Sequence, residues 1–277
     1  MKILITGANG QLGRELANQY KDIKGIDLIL AKREDLDITN LHNVYSFINE
    51  NKPDVIINCA AHTAVDKCET EIELAYKINT IGPKNLASAA NEIGAEIVQV
   101  STDYVFDGNT DKALTEFDCV NPQTVYGKTK LEGEILVKNH NPKHYIIRTA
   151  WLYGDGNNFV KTMIKLSQTN KTMKVVNDQK GTPTSTVDLA RVIIKLVGDK
   201  NYGLFHCTCK GECTWYEFTK EIFRIKGIDT EVSPCSTDEF PRPAKRPEYS
   251  VLRNYMLELT TGDITRNWKE AIGEYLK

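Results

Sequence analysis

The N-terminus of the chain holds a short apolar segment, a glycine-rich loop and an amphipathic segment, and this order constrains the fold more than any other feature. The segment KILIT (2–6) runs directly into TGANGQLG, in which Gly7, Gly10 and Gly13 recur at every third position. Glycine allows a backbone to turn tightly and to approach a pyrophosphate, and the N-terminus of the following helix attracts negative charge. A loop in this setting predicts a dinucleotide site at the head of a β-α-β series.

The same alternation of strand and helix continues to about residue 150. Nearly continuous apolar runs predict strands at 2–6, 27–32, 54–60, 96–102 and 145–150, and amphipathic stretches predict helices at 11–20, 41–51, about 66–94 and about 121–139. This alternation predicts an α/β fold with a doubly wound (Rossmann-type) parallel sheet, covered by helices on both faces. Gly82 and Pro83 are expected to kink or split the third helix.

Beyond residue 150 the alternation weakens. The sequence there predicts helices at 158–168, 184–198, 213–227 and 263–276, and a proline-rich ordered loop at 234–249. Gly198 is expected to end one of these helices, and Thr214 to cap the start of another. We expect a smaller C-terminal α+β substrate lobe beside the sheet. The predicted boundaries are 1–150 with about 181–205 for the dinucleotide-binding domain, and about 151–180 with 206–277 for the lobe.

Composition excludes several other classes of protein. The 277 residues carry a net charge of −2, whereas a surface that binds nucleic acid needs a basic excess. The N-terminal apolar run is too short for a signal peptide, and no stretch approaches the roughly 20 apolar residues of a membrane span, so we expect a cytoplasmic protein. The seven cysteines are expected to be reduced. His206, Cys207, Cys209 and Cys213 lack a second ligand pair, so a strand and loop are favoured over a zinc site.

The end of the second predicted strand indicates which dinucleotide is bound. Lys32 and Arg33 stand where an acidic residue normally binds the ribose 2′-hydroxyl of NAD. Their charge suits a 2′-phosphate, which favours NADP(H) over NAD(H). Asp37 and Ile38 are placed to meet the adenine, although Asp37 could equally cap the next helix.

The third predicted strand ends in two small residues, Ala60 and Ala61, which leave room for a cofactor in the crevice. His62 follows them. A lone histidine at a strand end is more often structural, so we favour that role over one as a catalytic base.

The fourth predicted strand leads to the residues most suited to chemistry. It ends at Thr102, and the next helix carries Tyr126 and Lys130 one turn apart. Carbonyl reduction needs a hydride at carbon and a proton at oxygen, and an adjacent ammonium together with an oxidised nicotinamide is expected to lower the pKa of the phenol. The chain has two other Tyr-x-x-x-Lys pairs that lack this setting, namely Tyr20/Lys24 and Tyr216/Lys220.

These motifs together resemble a known family. TGANGQLG, STDYVFDG, Tyr126-x-x-x-Lys130 and RTAWLYG are similar to the extended short-chain dehydrogenase/reductases and, more narrowly, to the dTDP-4-dehydrorhamnose reductase family. CAAHTAVDKCE, NNFVKTM, NDQKGTPT and RPEYSVL extend the resemblance over nearly the whole chain. It implies reduction of the C4 ketone of dTDP-6-deoxy-L-lyxo-4-hexulose to dTDP-L-rhamnose with NADH or NADPH, a step of cell-surface polysaccharide synthesis.

The resemblance also implies roles for individual residues. Tyr126 would donate the proton, with Lys130 as its partner and Thr102 as the third member. The cofactor would contact Gly7, Gly10, Gln11, Leu12, Gly13, Asp37, Ile38, Ala60, Ala61, His62, Thr63 and Asn79, as well as Tyr126 and Lys130. The sugar nucleotide would contact Thr102, Asp103 and Trp151. Three of these have plainer alternatives: Asp103 as a cap, Trp151 as core and Asn79 as a surface residue.

Some members of the family bind a divalent metal at a dimer interface. By this resemblance Glu15, Asp188 and Glu274 are candidate ligands for Mg²⁺, and a homodimer is a candidate assembly. Single carboxylates on helices are usually solvated, and that reading is favoured here.

Two other functions are left open. A nucleotide-sugar dehydratase or epimerase shares the glycine loop and the Tyr/Lys pair. By resemblance, such enzymes are expected to carry Thr-Asp-Glu at the strand end where this chain has Thr102-Asp103-Tyr104, so the carboxylate base is missing here. A non-catalytic subunit, like the regulatory subunit of methionine adenosyltransferase, would keep the fold without turnover. The intact set of Thr102, Tyr126 and Lys130 favours a reductase over both.

Overall fold

A computed structural model describes residues 1–277 and shows a central sheet of six parallel strands. The strands of the chain are β1 (Lys2–Thr6), β2 (Asp27–Ala31), β3 (Val55–Asn58), β4 (Glu96–Thr102), β5 (His144–Thr149), β6 (Leu152–Tyr153), β7 (Thr172–Val176), β8 (Lys180–Gly181), β9 (Thr184–Ser185), β10 (Gly203–His206), β11 (Cys213–Thr214) and β12 (Glu231–Cys235). The central sheet has the order β10-β5-β4-β3-β1-β2, which confirms the predicted doubly wound fold. The order reverses between β1 and β3, and a crevice opens beyond strands at such a point.

The helices connect these strands and lie on both faces of the sheet. They are α1 (Gln11–Tyr20), α2 (Leu41–Asn51), α3 (Val65–Cys68), α4 (Ile72–Tyr76), α5 (Gly82–Glu92), α6 (Val125–His140), α7 (Phe159–Ser167), α8 (Thr186–Asp199), α9 (Trp215–Lys226), α10 (Tyr255–Leu259) and α11 (Trp268–Tyr275). A π-helical turn (Lys77–Ile81) joins α4 to α5, and 3-10 turns lie at Asp103–Val105 and Thr237–Glu239. None of the helices combines the length and apolar character needed to span a bilayer.

Alternate residues of β1 enter different cores, because successive side chains of a strand point to opposite faces. Ile3 and Ile5 pack with α1 and α8, whereas Leu4 packs with α2, α5 and α6. This confirms that the sheet is covered on both faces. A separate core around Phe218 and Trp268 fills the C-terminal lobe, which we define as α7, α9, α11, β7 and β12.

The single long helix predicted at about 66–94 is wrong in its continuity. The first helix, α3, ends at Cys68, and helical structure resumes at Ile72 and runs on through α4, the π-helical turn and α5, so the break lies at 69–71 and the π-helical turn directly precedes Gly82 and Pro83. Pro83 lies in the first turn of α5, directly after the π-helical turn. A π-helical turn departs from the regular hydrogen-bond pattern of an α-helix and often occurs near functional sites.

Capping residues explain where two helices begin. The Thr124 side chain accepts a hydrogen bond from the Gly127 N–H, so α6 begins at Val125 rather than near 121. Thr214 caps α9 as predicted, and Glu217 completes a reciprocal capping box.

Three predicted boundaries in the last hundred residues are wrong. Gly198 does not end its helix, because α8 continues to Asp199 and Lys200 takes the left-handed conformation with φ 52°. The last helix starts at Trp268 rather than 263, since the Asn267 side chain caps it. Pro234 belongs to β12, which pairs only with β7, rather than to the predicted loop. Proline is tolerated in a strand with a free edge.

The packing of α8 on the sheet gives a test of the fold. Ile193 is fully buried in the core shared by α1, α8 and the sheet. We expect Ile193→Ala to lower the free energy of unfolding by about 2–5 kcal/mol, and Arg191→Ala, on the exposed face of α8, to change it by less than about 0.5 kcal/mol. Urea denaturation measures both values. Equal effects of the two substitutions would contradict this packing.

Candidate active site

A cavity of about 1100 Å³ lies beyond the carboxyl ends of the central strands. One side is formed by the loops that follow β1, β2, β3 and β4, and the other by the C-terminal lobe together with residues 240–247. The cavity is therefore shared by the sheet and the lobe, as the switch point between β1 and β3 predicts.

The glycine loop forms a cradle at one end of this cavity. Gly7 has φ +61°, and a Cβ there would lie 2.8 Å from the Ala60 backbone nitrogen. A Cβ on Gly13 would lie 2.5 Å from the Gly7 carbonyl oxygen. Larger residues are excluded at both positions, so the loop, α1 and the end of β3 can approach one another closely. This cradle fits a dinucleotide pyrophosphate at the N-terminus of α1.

The Gln11 side chain links the glycine loop to a segment that is distant in sequence. Its Oε1 accepts hydrogen bonds from the Gly154 N–H (2.9 Å) and from Asn158 Nδ2 (3.1 Å). Gln11 therefore ties the cradle to the segment that leads into α7. This tether was not predicted, because nothing local in the sequence links residues so far apart.

The end of the cavity where the adenine is expected contains only part of the predicted set. Arg33, Asp37 and Ile38 line the cavity, whereas Lys32 does not. The Lys32 N–H donates to Asp35 Oδ2 (2.9 Å), which orients this turn. Asp37 does not cap α2 either, because its Oδ1 accepts from the Thr39 N–H and hydroxyl within its own loop.

The segment after β3 is fixed from behind by a buried amide. Ala60, Ala61 and Thr63 line the cavity, whereas His62 and Asn79 do not. Asn79 is fully buried, so it is not the surface residue that was one alternative. Its Oδ1 accepts from the His62 N–H (2.8 Å), and its Nδ2 donates to the His62 carbonyl (3.2 Å) and to Thr129 Oγ1 (3.2 Å). The His62 ring pairs with Glu71 at 2.8 Å.

Thr102, Tyr126 and Lys130 meet at the floor of the cavity. Thr102 Oγ1 donates to Asp103 Oδ1 (2.9 Å), and it also accepts a 3.3 Å hydrogen bond from the Tyr104 N–H. Lys130 Nζ donates to the Val100 carbonyl (2.5 Å). The three predicted side chains therefore line the same cavity, and their catalytic roles stay a prediction.

Burial sets the protonation states at this floor. Burial raises the pKa of Tyr126, and the nearby Thr102 hydroxyl only partly opposes it. Burial lowers the pKa of Lys130 to about 8, although Glu134 and Cys59 oppose the change. Burial raises the pKa of Asp103 to about 6 against hydrogen bonds from Thr102 and Ser250. The expected lowering of the pKa of Tyr126 is thus not produced by protein groups, because burial and the charges of Asp103 and Cys68 all raise it and only the Thr102 hydrogen bond opposes them.

Aromatic residues line the far end of the cavity. Trp151 has φ +48° and stacks on Trp215, with ring centroids 3.4 Å apart and planes 7° apart. Phe159 lies against Trp215 at 4.4 Å. A Cβ on Gly181 would lie 2.5 Å from the Trp151 ring, so glycine leaves room for the stack.

Several cavity residues were missed by sequence reasoning. They are Asn9, Cys59, Asp66, Tyr104, Phe159, Lys174, Gln179, Trp215, Arg242 and Arg246. Arg246 Nη2 pairs with Asp66 Oδ2 (3.0 Å) and so connects the C-terminal residues to α3. Arg246 stands in the quoted RPEYSVL motif, so a signal for it existed. For Trp215 there was no sequence signal of a role in the cavity beyond its position at the start of a helix.

The three carboxylates considered as metal ligands have other partners. Arg266 binds Asp188 through Nη2–Oδ2 (2.7 Å) and Nε–Oδ1 (2.9 Å), and it also pairs with Glu274. Glu15 accepts from Gln19 Nε2 (2.7 Å). A guanidinium thus occupies the space between two of the carboxylates, and no group of three His, Cys, Asp or Glu side chains is arranged to hold a metal.

The remaining tyrosine–lysine pairs lie away from the cavity. Tyr20 is buried at the end of α1, and Lys220 lies over the Tyr216 ring at 5.3 Å on α9. Neither pair lines the cavity. The free thiols Cys207, Cys209 and Cys213 are buried, and burial raises the pKa of each of them.

A parallel sheet with a dinucleotide cradle, and a Tyr-x-x-x-Lys helix held against the end of its fourth strand, defines an extended short-chain dehydrogenase/reductase. The family model described as RmlD substrate binding domain matches residues 1–277. The chain therefore belongs to this family, the dTDP-4-dehydrorhamnose reductases.

Individual relatives agree over the full length of the chain. A crystal structure of a dTDP-4-dehydrorhamnose reductase from Clostridium acetobutylicum shares 70% identity, with a TM-score of 0.99 over 100% of this chain and 98% of that one. A second, from Bacillus anthracis in complex with NADP, shares 42% identity and a TM-score of 0.95 over 99% and 98% of the two chains. The spore coat polysaccharide biosynthesis protein SpsK of Bacillus subtilis is 42% identical over 100% of this chain and 97% of its own.

The close packing at Gly13 gives a test of the cradle. We expect Gly13→Ala to weaken NADPH binding by about tenfold or more, because its Cβ would collide with the Gly7 carbonyl and displace the loop. Fluorescence titration measures the affinity. Gly198→Ala is the control, since a Cβ there meets open space. Unchanged affinity in Gly13→Ala would contradict the site.

Proposed function

We propose that the protein reduces the C4 ketone of dTDP-4-dehydro-L-rhamnose (dTDP-6-deoxy-L-lyxo-4-hexulose) to dTDP-L-rhamnose with a nicotinamide cofactor. The observation that carries this proposal is the meeting of Thr102, Tyr126 and Lys130 in a cavity that also contains the glycine cradle. Membership of the reductase family and the 70% identical reductase support the substrate.

Tyr126 is the proton donor in this proposal. Burial raises the pKa of its phenol, so the side chain carries its proton at neutral pH, which is the form that reduction consumes. When bound, NAD(P)H supplies the hydride that the substrate carbon accepts. The oxygen of the ketone then takes the proton from the phenol.

Lys130 and Thr102 prepare the donor and the ketone. In this proposal the Lys130 ammonium favours the phenolate that remains after proton transfer, and it binds the nicotinamide ribose. The Thr102 hydroxyl donates to Asp103 Oδ1 in this structure, and in this proposal it turns its single proton to the ketone oxygen and so orients the substrate carbonyl. Asn79 acts indirectly by holding the backbone of His62.

The cofactor lies along the carboxyl ends of the strands in this proposal. The residues that hold it are Gly7, Gly10, Gln11, Leu12, Gly13, Asp37, Ile38, Ala60, Ala61 and Thr63, together with Tyr126 and Lys130. Arg33 would bind a 2′-phosphate, which favours NADPH over NADH. Lys32 contributes less, because it does not line the cavity.

The part of the cavity that holds the substrate in this proposal is formed by the C-terminal lobe, the residues that follow β4 and β5, and residues 240–247. Trp151 and Asp103 would contact the sugar, and the cationic side chains of Lys174, Arg242 and Arg246 suit the diphosphate of a nucleotide. This arrangement supports the predicted division into a dinucleotide-binding domain (1–150 with about 181–205) and a substrate lobe (about 151–180 with 206–277).

We infer a cytoplasmic location from the nucleotide-sugar substrate. A homodimer stays a prediction, and no role for Mg²⁺ is proposed because Arg266 neutralises Asp188 and Glu274.

The competing elimination chemistry lacks a base in this site. Tyr104 occupies the position at which the related dehydratases are expected to carry a glutamate. Burial raises the pKa of its phenol. A protonated phenol cannot remove a proton from the sugar. A dehydratase would release a 4-keto-6-deoxy sugar from dTDP-glucose without added cofactor, and a non-catalytic subunit would co-purify with a partner enzyme and oxidise no NADPH.

An absorbance assay tests the proposal. We expect the protein to oxidise NADPH when supplied with dTDP-4-dehydro-L-rhamnose, with a higher kcat/KM for NADPH than for NADH. Arg33→Ser should reduce that ratio by about fivefold, the effect of about 1 kcal/mol for an exposed ionic contact. Absence of oxidation with both cofactors would refute the function, and an unchanged ratio would refute the role of Arg33.

A further inference from the structure

One face of α6 carries a third ionisable residue that the mechanism does not use. Tyr126, Lys130 and Glu134 recur at intervals of four, so they lie on one face of the helix. Glu134 is only 4% exposed and Lys130 is equally buried. A buried carboxylate one turn beyond the lysine is costly unless other groups satisfy it.

Two strands of the sheet supply its partners. Arg148 Nη2 binds Glu134 Oε2 (2.7 Å), and Arg148 Nε binds Oε1 (3.0 Å), which is a two-point contact. Ser101 Oγ donates to the same Oε1 (2.5 Å). Ser101 and Arg148 are opposite each other in the β4–β5 register, so the carboxylate connects α6 to both strands.

Stability alone does not explain this arrangement. The free energy needed to remove two charges from water is about as large as the free energy that their attraction returns. Apolar side chains of similar volume often give a protein of equal or higher stability. One Arg148 nitrogen, Nη1, is buried without a partner, which adds to the cost. The charge of Glu134 does have one evident effect, because it is the largest charge that opposes the lowering of the pKa of Lys130.

We propose that Glu134, fixed by Arg148 and Ser101, is a positioning residue that keeps the Lys130 side chain charged and in place beside Tyr126. Lys130 donates to the Val100 carbonyl, and Val100 precedes Ser101 in β4, so one strand holds both side chains. The proposal rests on the reductase function for its effect on turnover. Its effect on the lysine itself is independent of the substrate.

The other ionisable groups around Lys130 are few. The titratable or charged side chains that face this region from the elements packed against α6 are Cys59 after β3, Cys68 of α3, Asp103 and Tyr104 of the 3-10 turn, Arg148 of β5, and Tyr126. From α4, the π-helical turn and α5, Glu73, Lys77 and Glu92 are exposed to solvent, and Lys84 is half-buried. Among these groups Glu134 is the anion placed to hold the ammonium charge.

The lysine can be titrated directly. Protein labelled with ¹³Cε-lysine gives one signal for Lys130, assigned by its loss in Lys130→Met, and the wild-type signal should titrate with a pKa of about 8. We expect Glu134→Gln to lower this midpoint by about one pH unit, and Glu134→Asp to restore most of it. The alkaline limb of kcat/KM for NADPH oxidation should move by the same amount, because it reports the free enzyme.

Glu96→Gln is the matched control. Glu96 is a buried carboxylate of β4, hydrogen-bonded to Tyr145 and Tyr202, and it lies at the start of the strand, away from Val100 and Ser101 near its end. Val100, to which Lys130 donates, lies four residues or about 13 Å along β4 from Glu96, so this substitution should leave the titration of Lys130 unchanged. If Glu134→Gln does not fold, the double substitution Glu134→Met/Arg148→Met removes both charges and should lower the midpoint similarly.

The possible results separate the two proposals. An unshifted Lys130 titration in a folded Glu134 variant, or an equal shift in Glu96→Gln, overturns the role of Glu134. A loss of rate at all pH values without movement of the alkaline limb also overturns it, because that is the result of a merely structural role. If the wild-type protein oxidises no NADPH, the proposed function fails, and the NMR titration still decides the role of Glu134.

Discussion

The close approach of α6 to the end of β4 is the contact on which the rest of the site depends. A Cβ on Gly127 would lie 2.2 Å from the Tyr104 carbonyl oxygen, and one on Gly133 would lie 2.2 Å from that of Asn79. Glycine at both positions lets the helix backbone touch the 3-10 turn and the π-helical turn. Because Tyr126 and Lys130 lie on this helix, the contact places both beside Thr102. The edge-to-face packing of the Tyr104 and Tyr126 rings, 5.4 Å apart, then restricts the phenol.

Burial at this contact determines which chemistry is available. It keeps the Tyr126 phenol protonated, lowers the pKa of Lys130 to about 8, and raises the pKa of Asp103 to about 6. A protonated donor suits reduction, whereas elimination would need a base in the position of Tyr104. The buried pair of Glu134 and Arg148 belongs to the same arrangement, since it places a negative charge behind the lysine. Burying these ionisable groups costs stability, and it also fixes their protonation states.

Much of this structure follows from local sequence patterns. The glycine loop, the apolar strands and the Tyr126/Lys130 spacing each depend on neighbours in the chain, so they predicted the sheet and the floor of the cavity. Contacts between distant segments were missed, such as the stack of Trp151 on Trp215 and the pair of Asp66 and Arg246. The π-helical turn before Gly82 was missed for the same reason, because its buried Asn79 contacts His62 and Thr129, which are distant in sequence.

The proton donor is the central claim, and one substitution tests it most directly. Tyr126→Phe removes the phenol oxygen and keeps the ring, so kcat for NADPH oxidation with dTDP-4-dehydro-L-rhamnose should fall by about 10²- to 10⁴-fold, with little change in NADPH affinity. Tyr216→Phe, in a tyrosine–lysine pair outside the cavity, should keep the wild-type rate. A Tyr126→Phe protein with the wild-type rate would contradict the account.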